Sequence, residues 1–423
     1  MNERPLACAL TLLLVFSPAT LAATEADALR EELDAQRKRI EQLEQRMERL
    51  TEEGRLVPTE VTAQQAEQPA DRLEIGGAAR FNLFYNDFDD AGDDKYGDSA
   101  FELFRLNVDG QKGGFTFSAE YRWYPYTETI HHAWGGYALS ETSELRVGVN
   151  RVPFGLLPYA SHTYWFGLPY YVGLGDDHDL GAKYLYREGP WDLQLAFYKN
   201  GEWGNAADPG RYAPDVVRTG CDPDAGNLAN CNEDSNQFNA RLAYTLGQNG
   251  ACPTEVGLSG QWGQLHNIAT GDNGSRWAVA AHMDARCGRW NFQLQAGRQV
   301  LDPDNPPGVS DDTVQFGLLE ATYDLASRAN LGVANIAYNF PVPWEPIDSL
   351  TCYHDFSVYL KDESGFQDSR LNTTGCAVGA APIFAYLDWI NAENAPFFSV
   401  ADPFVRGASG SDNRLNLNVG FYF

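Results

Sequence analysis

The chain has 423 residues, including 21 Tyr, 23 Phe and 10 Trp, and a formal net charge of −27 at pH 7. That sign excludes ordinary nucleic-acid binding, which needs Lys and Arg facing phosphates. Beyond the N-terminus no apolar run approaches the roughly 20 residues of a membrane helix, which excludes a helical membrane protein.

The first residues read as a secretory signal over 1–22: Arg4, an apolar stretch over 6–16, Pro18, and small residues around Ala22 and Ala23. Cys8 in Leu6-Ala7-Cys8 is not read as a lipoprotein site, because no apolar segment precedes it. From 24 to 53 the spacing alternates between four and three: Leu29, Leu33, Gln36, Ile40, Leu43, Met47, Leu50. This is an α-helical coiled-coil seam, and so narrow a stripe needs a partner to be stable. Residues 54–72 are polar, with Pro58 and Pro69, and read as a linker.

From 73 to 423 the dominant period is two. Phe115, Phe117, Ala119, Tyr121 and Trp123 alternate with Thr116, Ser118, Glu120 and Arg122, and Leu415, Leu417, Val419, Phe421 and Phe423 alternate with Asn416 and Asn418. A soluble sandwich would alternate in the same way with its apolar face inward. Loop lengths separate the two readings. Connections at 111–114, 140–143, 189–190, 247–253, 287–289 and 327–329 are short; those at 86–99, 153–179, 200–235 and 301–312 are long and acidic. Short periplasmic turns opposite long external loops are the arrangement of an outer-membrane barrel. The expected fold is therefore an all-β transmembrane antiparallel β-barrel of about 16 strands, or about 18, behind the helical segment. The stretch 350–410 is the least regular, with one hairpin over 352–378 and the remainder read as an external loop.

Cys221, Cys231, Cys252, Cys287, Cys352 and Cys376 remain after the signal. An even number in an exported chain favours disulfides. Connectivity is formally open, and pairing of sequence neighbours is the simplest choice.

The connection 153–179 is too aromatic for water: Phe154, Tyr159, His162, Tyr164 and Trp165, followed by Asp176, Asp177, His178 and Asp179. It is expected to fold inward and narrow the lumen. Strand parity points Arg105, Asp109, Glu120, Arg122, Arg146, Lys183, Arg187 and Arg241 inward as pore-lining charges, and such a wall attracts anions unless the charges pair with one another. Asp87, Asp89, Gly92, Asp93 and Asp98 follow part of a calcium-loop spacing, but Ala91 occupies a ligand position and Asp98 replaces the usual Glu, so the run reads as a solvated acidic loop. His131 and His132 are neighbours on a strand and are expected to face opposite sides, unable to chelate together. No metal site, cofactor or enzymatic centre is expected; a serine nucleophile elbow and a zinc motif are both missing from the sequence.

The order of signal, coiled coil, linker and barrel, ending in Leu417-Asn418-Val419-Gly420-Phe421-Tyr422-Phe423, resembles trimeric Gram-negative outer-membrane porins, particularly the phosphate-selective porin O and P type. Residues 145–155, Leu-Arg-Val-Gly-Val-Asn-Arg-Val-Pro-Phe-Gly, resemble the strand that precedes the inward loop in that class. The resemblance implies a passive channel for small hydrophilic solutes or ions, a homotrimer, contact with outer-membrane lipid and lipopolysaccharide, and a coiled coil in the periplasm. The chain departs from the class in its acidity and in having no dense basic cluster in its loops. Two other readings accompany this one: a receptor-like barrel for a specific ligand such as an iron chelate, and a structural tether acting through the coiled coil.

Overall fold

A computed structural model describes residues 71–88, 92, 94–398, 404–405 and 410–423. The expected signal, the coiled coil and nearly all of the linker lie outside them, as do Asp89, Ala91 and Asp93 of the acidic loop.

The barrel wall is made of β1 (Arg72–Asn86), β2 (Asp98–Lys112), β3 (Phe115–Trp123), β4 (Glu128–Ala138), β5 (Ser143–Arg151), β6 (His178–Glu188), β7 (Trp191–Gly201), β9 (Asn232–Leu246), β10 (Thr254–Asn267), β11 (Asn273–Cys287), β12 (Trp290–Asp302), β15 (Arg328–Phe340), β16 (Ser349–Lys361), β17 (Ser369–Ala380), β18 (Ile383–Glu393) and β19 (Asp412–Tyr422). Each pairs antiparallel with its neighbours, and β1 against β19 closes the ring, giving a sixteen-strand barrel among the described residues. Closure removes the free edges that an open sheet would present. Three further strands, β8 (Asp215–Val216), β13 (Thr313–Leu318) and β14 (Ala321–Ala326), form a separate small sheet.

Burial decides between the soluble and the membrane reading of the alternation. Phe115, Phe117, Leu145, Val147, Leu195, Phe238, Leu242, Leu294 and Phe421 are exposed, whereas Glu120, Gln194, Asn239, Arg241, Gln293, Gln295, Asn416 and Asn418 are buried. The faces are therefore apolar outward and polar inward, as strands between lipid and a lumen require.

The strand count agrees with the sequence expectation, but two segments exchange roles. The connection 327–329 is not a short turn between wall strands. It is where a long excursion over 303–327 rejoins the wall, after β13 and β14 have paired as a hairpin. Leu319 and Glu320 turn that hairpin with φ of 48° and 70°, both central residues left-handed, as a type I′ turn demands. Conversely, part of the stretch read as external loop after 378 is wall strand β18, joined to β17 across 381–382. The first error arises because apolar residues at alternate positions mark a strand and do not say whether lipid or a filled lumen buries it; in the second, the wall strand lies within the least regular stretch of the sequence.

The disulfides join Cys221 to Cys231, Cys252 to Cys287 and Cys352 to Cys376, the sequence-neighbour pairing. Cys352 and Cys376 are register partners on β16 and β17, 24 residues apart in sequence. A loop of that size corresponds to about 3.5 kcal/mol of loop-closure entropy. The double variant Cys352→Ala/Cys376→Ala is expected to keep the barrel, because the ladder hydrogen bonds remain, and to unfold at a lower temperature, read from heat-dependent gel migration.

Candidate functional site

The connection from β5 to β6 covers residues 152–177 and contains one short helical turn, α1 (Leu168–Tyr171). Its backbone is held by side chains that point inward from widely separated strands. Arg241 of β9 donates from Nε to the Gly155 carbonyl at 2.8 Å, Ser259 of β10 accepts from the Gly155 N–H at 3.0 Å, and Gln295 of β12 accepts from the Leu156 N–H at 2.9 Å. Asn335 of β15 donates to the Ala160 carbonyl, and Asp355 of β16 accepts from the His162 and Thr163 N–H groups at 2.5 and 3.2 Å. Asp388 of β18 accepts from the Thr163 hydroxyl at 3.0 Å. Only a segment inside the barrel reaches partners on β9, β10, β12, β15, β16 and β18 together.

The inward segment packs one wall of the lumen with an apolar core. Phe154, Leu168, Tyr170, Tyr171, Val172 and Leu174 join Val216 of β8, Phe316 and Leu318 of β13 and Leu325 of β14, against Ala278, Ala280, Ala329 and Ala392 of the wall. The wall alanines leave room for the larger inner residues. Each large side chain buried in this way contributes about 1.5–3 kcal/mol.

On the opposite side, between the inward segment and the strands β1, β2, β3 and β19, a cavity of about 490 Å³ remains. Arg80, Arg105, Arg122 and Arg414 line it together with Glu102 and a set of aromatic rings. Arg80 stands 4.6 Å from the Tyr164 ring centre and donates to Asn418 at 2.6 Å, and its guanidinium occupies the space that a Cβ at Gly420 would take. Arg414 stands 4.6 Å from the Trp165 ring and donates to Asn416 Oδ1 at 2.9 Å. Arg122 donates to Glu120 at 2.6 Å and lies 4.5 Å from the Tyr212 ring; Arg105 reaches the same Glu120 at 3.1 Å. Four guanidinium groups thus face two carboxylates, Glu102 and Glu120, around this space.

Of the residues singled out from sequence, the structure gathers Arg105, Glu120, Arg122, Tyr159, Tyr164 and Trp165 near one another. Arg146 and Arg187 lie elsewhere, toward the short-turn end, and Lys183 lies in the middle of β6. Arg146 pairs with Glu144 at 2.8 Å over the Trp134 ring, Lys183 donates to the Arg151 carbonyl at 2.6 Å, and Arg187 pairs with Asp192 at 2.9 Å. Arg241 is fully buried beneath the inward segment, bonded also to Glu255 at 2.5 Å. Asp179 belongs to wall strand β6 and not to the loop, because the β5–β6 ladder extends to Arg151 opposite His178. Arg80 and Arg414 were missed, although parity with Asn82 and Asn416 points them inward. Tyr212, Asp215 and Glu202 carry no comparable signal, because they stand outside the period-two pattern of the wall.

The expectation that His131 and His132 face opposite sides is overturned. Glu120 pairs with His132 and Tyr121 with Ile130, so His131 is the extra residue of a β-bulge. A bulge re-aims a side chain; both rings point inward, with their Nδ1 atoms 2.7 Å apart, and the His178 ring lies tilted to that of His131 with centres 4.3 Å apart. The imidazole trio His131, His132 and His178, and the carboxylate trio Asp177, Asp179 and Asp215, are the groups that could hold a metal ion among the described residues. Burial, then the facing Asp215, pushes the Asp177 and Glu202 carboxyls well above the usual range.

His162 titrates in the opposite sense to a simple buried imidazole. Burial disfavours its charge, but the Asp355 carboxylate at 2.7 Å from Nδ1 outweighs this and raises its pKa. The stability from this pair is fully present below the ordinary imidazole range and is lost as pH rises through the raised value. Proteolysis within 152–177 is therefore expected to quicken from roughly pH 5 to pH 9, and His162→Gln to abolish that dependence, read by timed digestion.

No family model and no curated protein sequence matches the chain. Solved structures do. The outer membrane channel DcaP of Acinetobacter baumannii aligns at a TM-score of 0.54 and 13% identity over 84% of this chain and 97% of that one. In-vitro-folded OmpT, an outer membrane protein of Vibrio cholerae, in its trimer form, aligns at 0.53 and 11% over 84% and 100%. The anion-selective porin from Comamonas acidovorans aligns at 0.51 and 11% over 84% and 100%. At such identities the likeness is one of fold: the chain is built as a sixteen-strand barrel of the outer-membrane porin type.

Proposed function

We propose that this protein is an outer-membrane channel through which small hydrophilic solutes diffuse passively, past a constriction formed by residues 152–177. The observation that carries the reading is an inward segment bonded around the lumen of a closed barrel, leaving an arginine-lined space on one side. In this reading the short turns face the periplasm, the long loops face outward, and the helical segment 24–53 assembles a homotrimer beneath the membrane. The trimer form of the structurally similar Vibrio cholerae protein supports the last point.

The finer proposal is a preference for anions. Arg80 and Arg414 are bonded to asparagine side chains and share the facing Glu102 without a direct bond to it, whereas Arg122 bonds Glu120 directly. Charged rings at a narrow point set pore selectivity. Planar-bilayer recording of the purified protein tests both levels. Stepwise conductance with a reversal potential on the anion side of zero in a salt gradient is expected. An inability to produce steps would sink the channel reading; cation preference would sink only the anion reading.

A further inference from the structure

The carboxylate cluster beneath the inward segment is not used by this channel reading. Asp177 is the last residue of that segment, Asp179 lies on wall strand β6, Asp215 on lumen strand β8, and Glu202 follows directly on β7. Ligand oxygens of Asp177, Asp179 and Asp215 all lie within 4.8 Å of one another. Oxygens no farther apart than this can share one calcium ion, whose opposed ligands stand about 4.8 Å apart, twice a Ca–O bond of about 2.4 Å. Gly201 makes the approach possible, since a Cβ there would collide with the Asp215 carboxylate.

Charge points the same way. Asp177, Asp179, Asp215 and Glu202 are buried and the adjoining Asp234 is partly so, and the guanidinium groups that reach them are Arg211, 3.1 Å from Asp215, and Arg276, 2.5 Å from Asp234. Five carboxylates, four of them buried, against two arginines leave an excess of negative charge away from water, which is costly unless something neutralises it. Three oxygens lack a hydrogen-bond partner: Asp177 Oδ1, Asp179 Oδ1 and Glu202 Oε2, in residues only 3%, 4% and 6% exposed. Glu202 presses against Asp215 while its other oxygen accepts from the Tyr212 and Ala213 N–H groups.

The neighbouring imidazole trio is a weaker candidate. Asp176, 3.7 Å from His131, is taken by Arg151, and Glu120, 3.9 Å from His131, is taken by Arg105 and Arg122, so cations already surround those rings.

We propose that Asp177, Asp179 and Asp215, with Glu202 beside them, bind one hard divalent cation of the calcium class and thereby tie the inward segment to β6 and β8. All-oxygen, all-carboxylate ligation selects calcium or magnesium over zinc or copper. The proposal does not depend on the channel reading, which stands or falls on conductance.

The test uses the full chain, folded in detergent and treated with chelator. Calcium is titrated by calorimetry, and terbium is followed by luminescence excited through tyrosine, since Tyr198 is buried beside Asp177 and Asp179. One calcium per chain, with terbium displaced by calcium, is the expected result. Asp177→Asn and Asp215→Asn should each weaken binding at least tenfold, whereas Asp98→Asn at the exposed start of β2 should not. A wild-type protein that takes up no stoichiometric calcium, its carboxylates carrying protons instead, would overturn the proposal, as would equal binding in all three variants. If a variant does not fold, wild-type protein alone decides: its unfolding temperature should rise with calcium and not with equivalent sodium, and no rise refutes the site.

Discussion

Replacing Arg80 and Arg414 together with glutamine is expected to lower the anion-to-cation permeability ratio several-fold while leaving the barrel folded. Both side chains line the remaining lumen space, both stack against rings of the inward segment, and neither has a carboxylate as its hydrogen-bond acceptor at short range. Arg80 and Arg414 face one carboxylate, Glu102, without a direct bond to it, whereas Arg105 and Arg122 bond Glu120, so removal of the first pair should register in the field that a passing ion meets. Glutamine keeps a donor for Asn418 and Asn416, which limits structural damage. The measurement is the reversal potential in a salt gradient before and after substitution. As an internal control, Arg187→Gln at the exposed short-turn end, where Asp192 is its partner, should leave that potential unchanged. A double variant with wild-type selectivity would place the selecting charges elsewhere.

Arg241→Ala is expected to unseat the inward segment, at a cost of about 3–5 kcal/mol, the usual consequence of removing one member of a buried ion pair. Arg241 is 1% exposed and bonds the Gly155 carbonyl, Glu255 and His282 at once. Without it the Gly155 carbonyl loses its charged donor and Glu255 loses its cation. The wall strands do not depend on this residue for their ladder, so the barrel should persist while residues 152–177 become accessible. Faster proteolysis within that segment, together with larger and noisier single-channel currents, is the expected pair of results. A variant with wild-type protease resistance would show that the apolar core of Phe154, Leu168 and Val172 seats the segment unaided.

How far these sites could be read from sequence depends on the kind of order each residue obeys. In the wall the rule is local: alternate residues face opposite sides, so a run such as Phe115 to Trp123 reveals its faces without knowledge of its neighbours. That rule placed Arg105, Glu120 and Arg122 on one side, and applied to β1 and β19 it would have placed Arg80 and Arg414 there too. It failed at His131, where a bulge inserts a residue and breaks parity, because a bulge is decided by pairing with β3 and leaves no mark in β4 itself. It failed again at β13 and β14, whose alternation is that of a wall strand although they lie in a separate sheet off the wall.

By itself the sequence therefore determined the barrel, its polar inner and apolar outer faces, the approximate strand number, the aromatic connection that cannot remain in water, and the simplest cysteine pairing. These follow from side-chain period, loop length and composition, all of which are local. Only the tertiary structure decided which strands fill the lumen instead of enclosing it, which arginines share a space, and that Asp177, Asp179, Asp215 and Glu202 converge. Those four residues come from the inward segment, wall strand β6, the residue just past β7 and a lumen strand. Their meeting depends on how the excursions inside the barrel pack, a long-range outcome that no periodicity along the chain encodes.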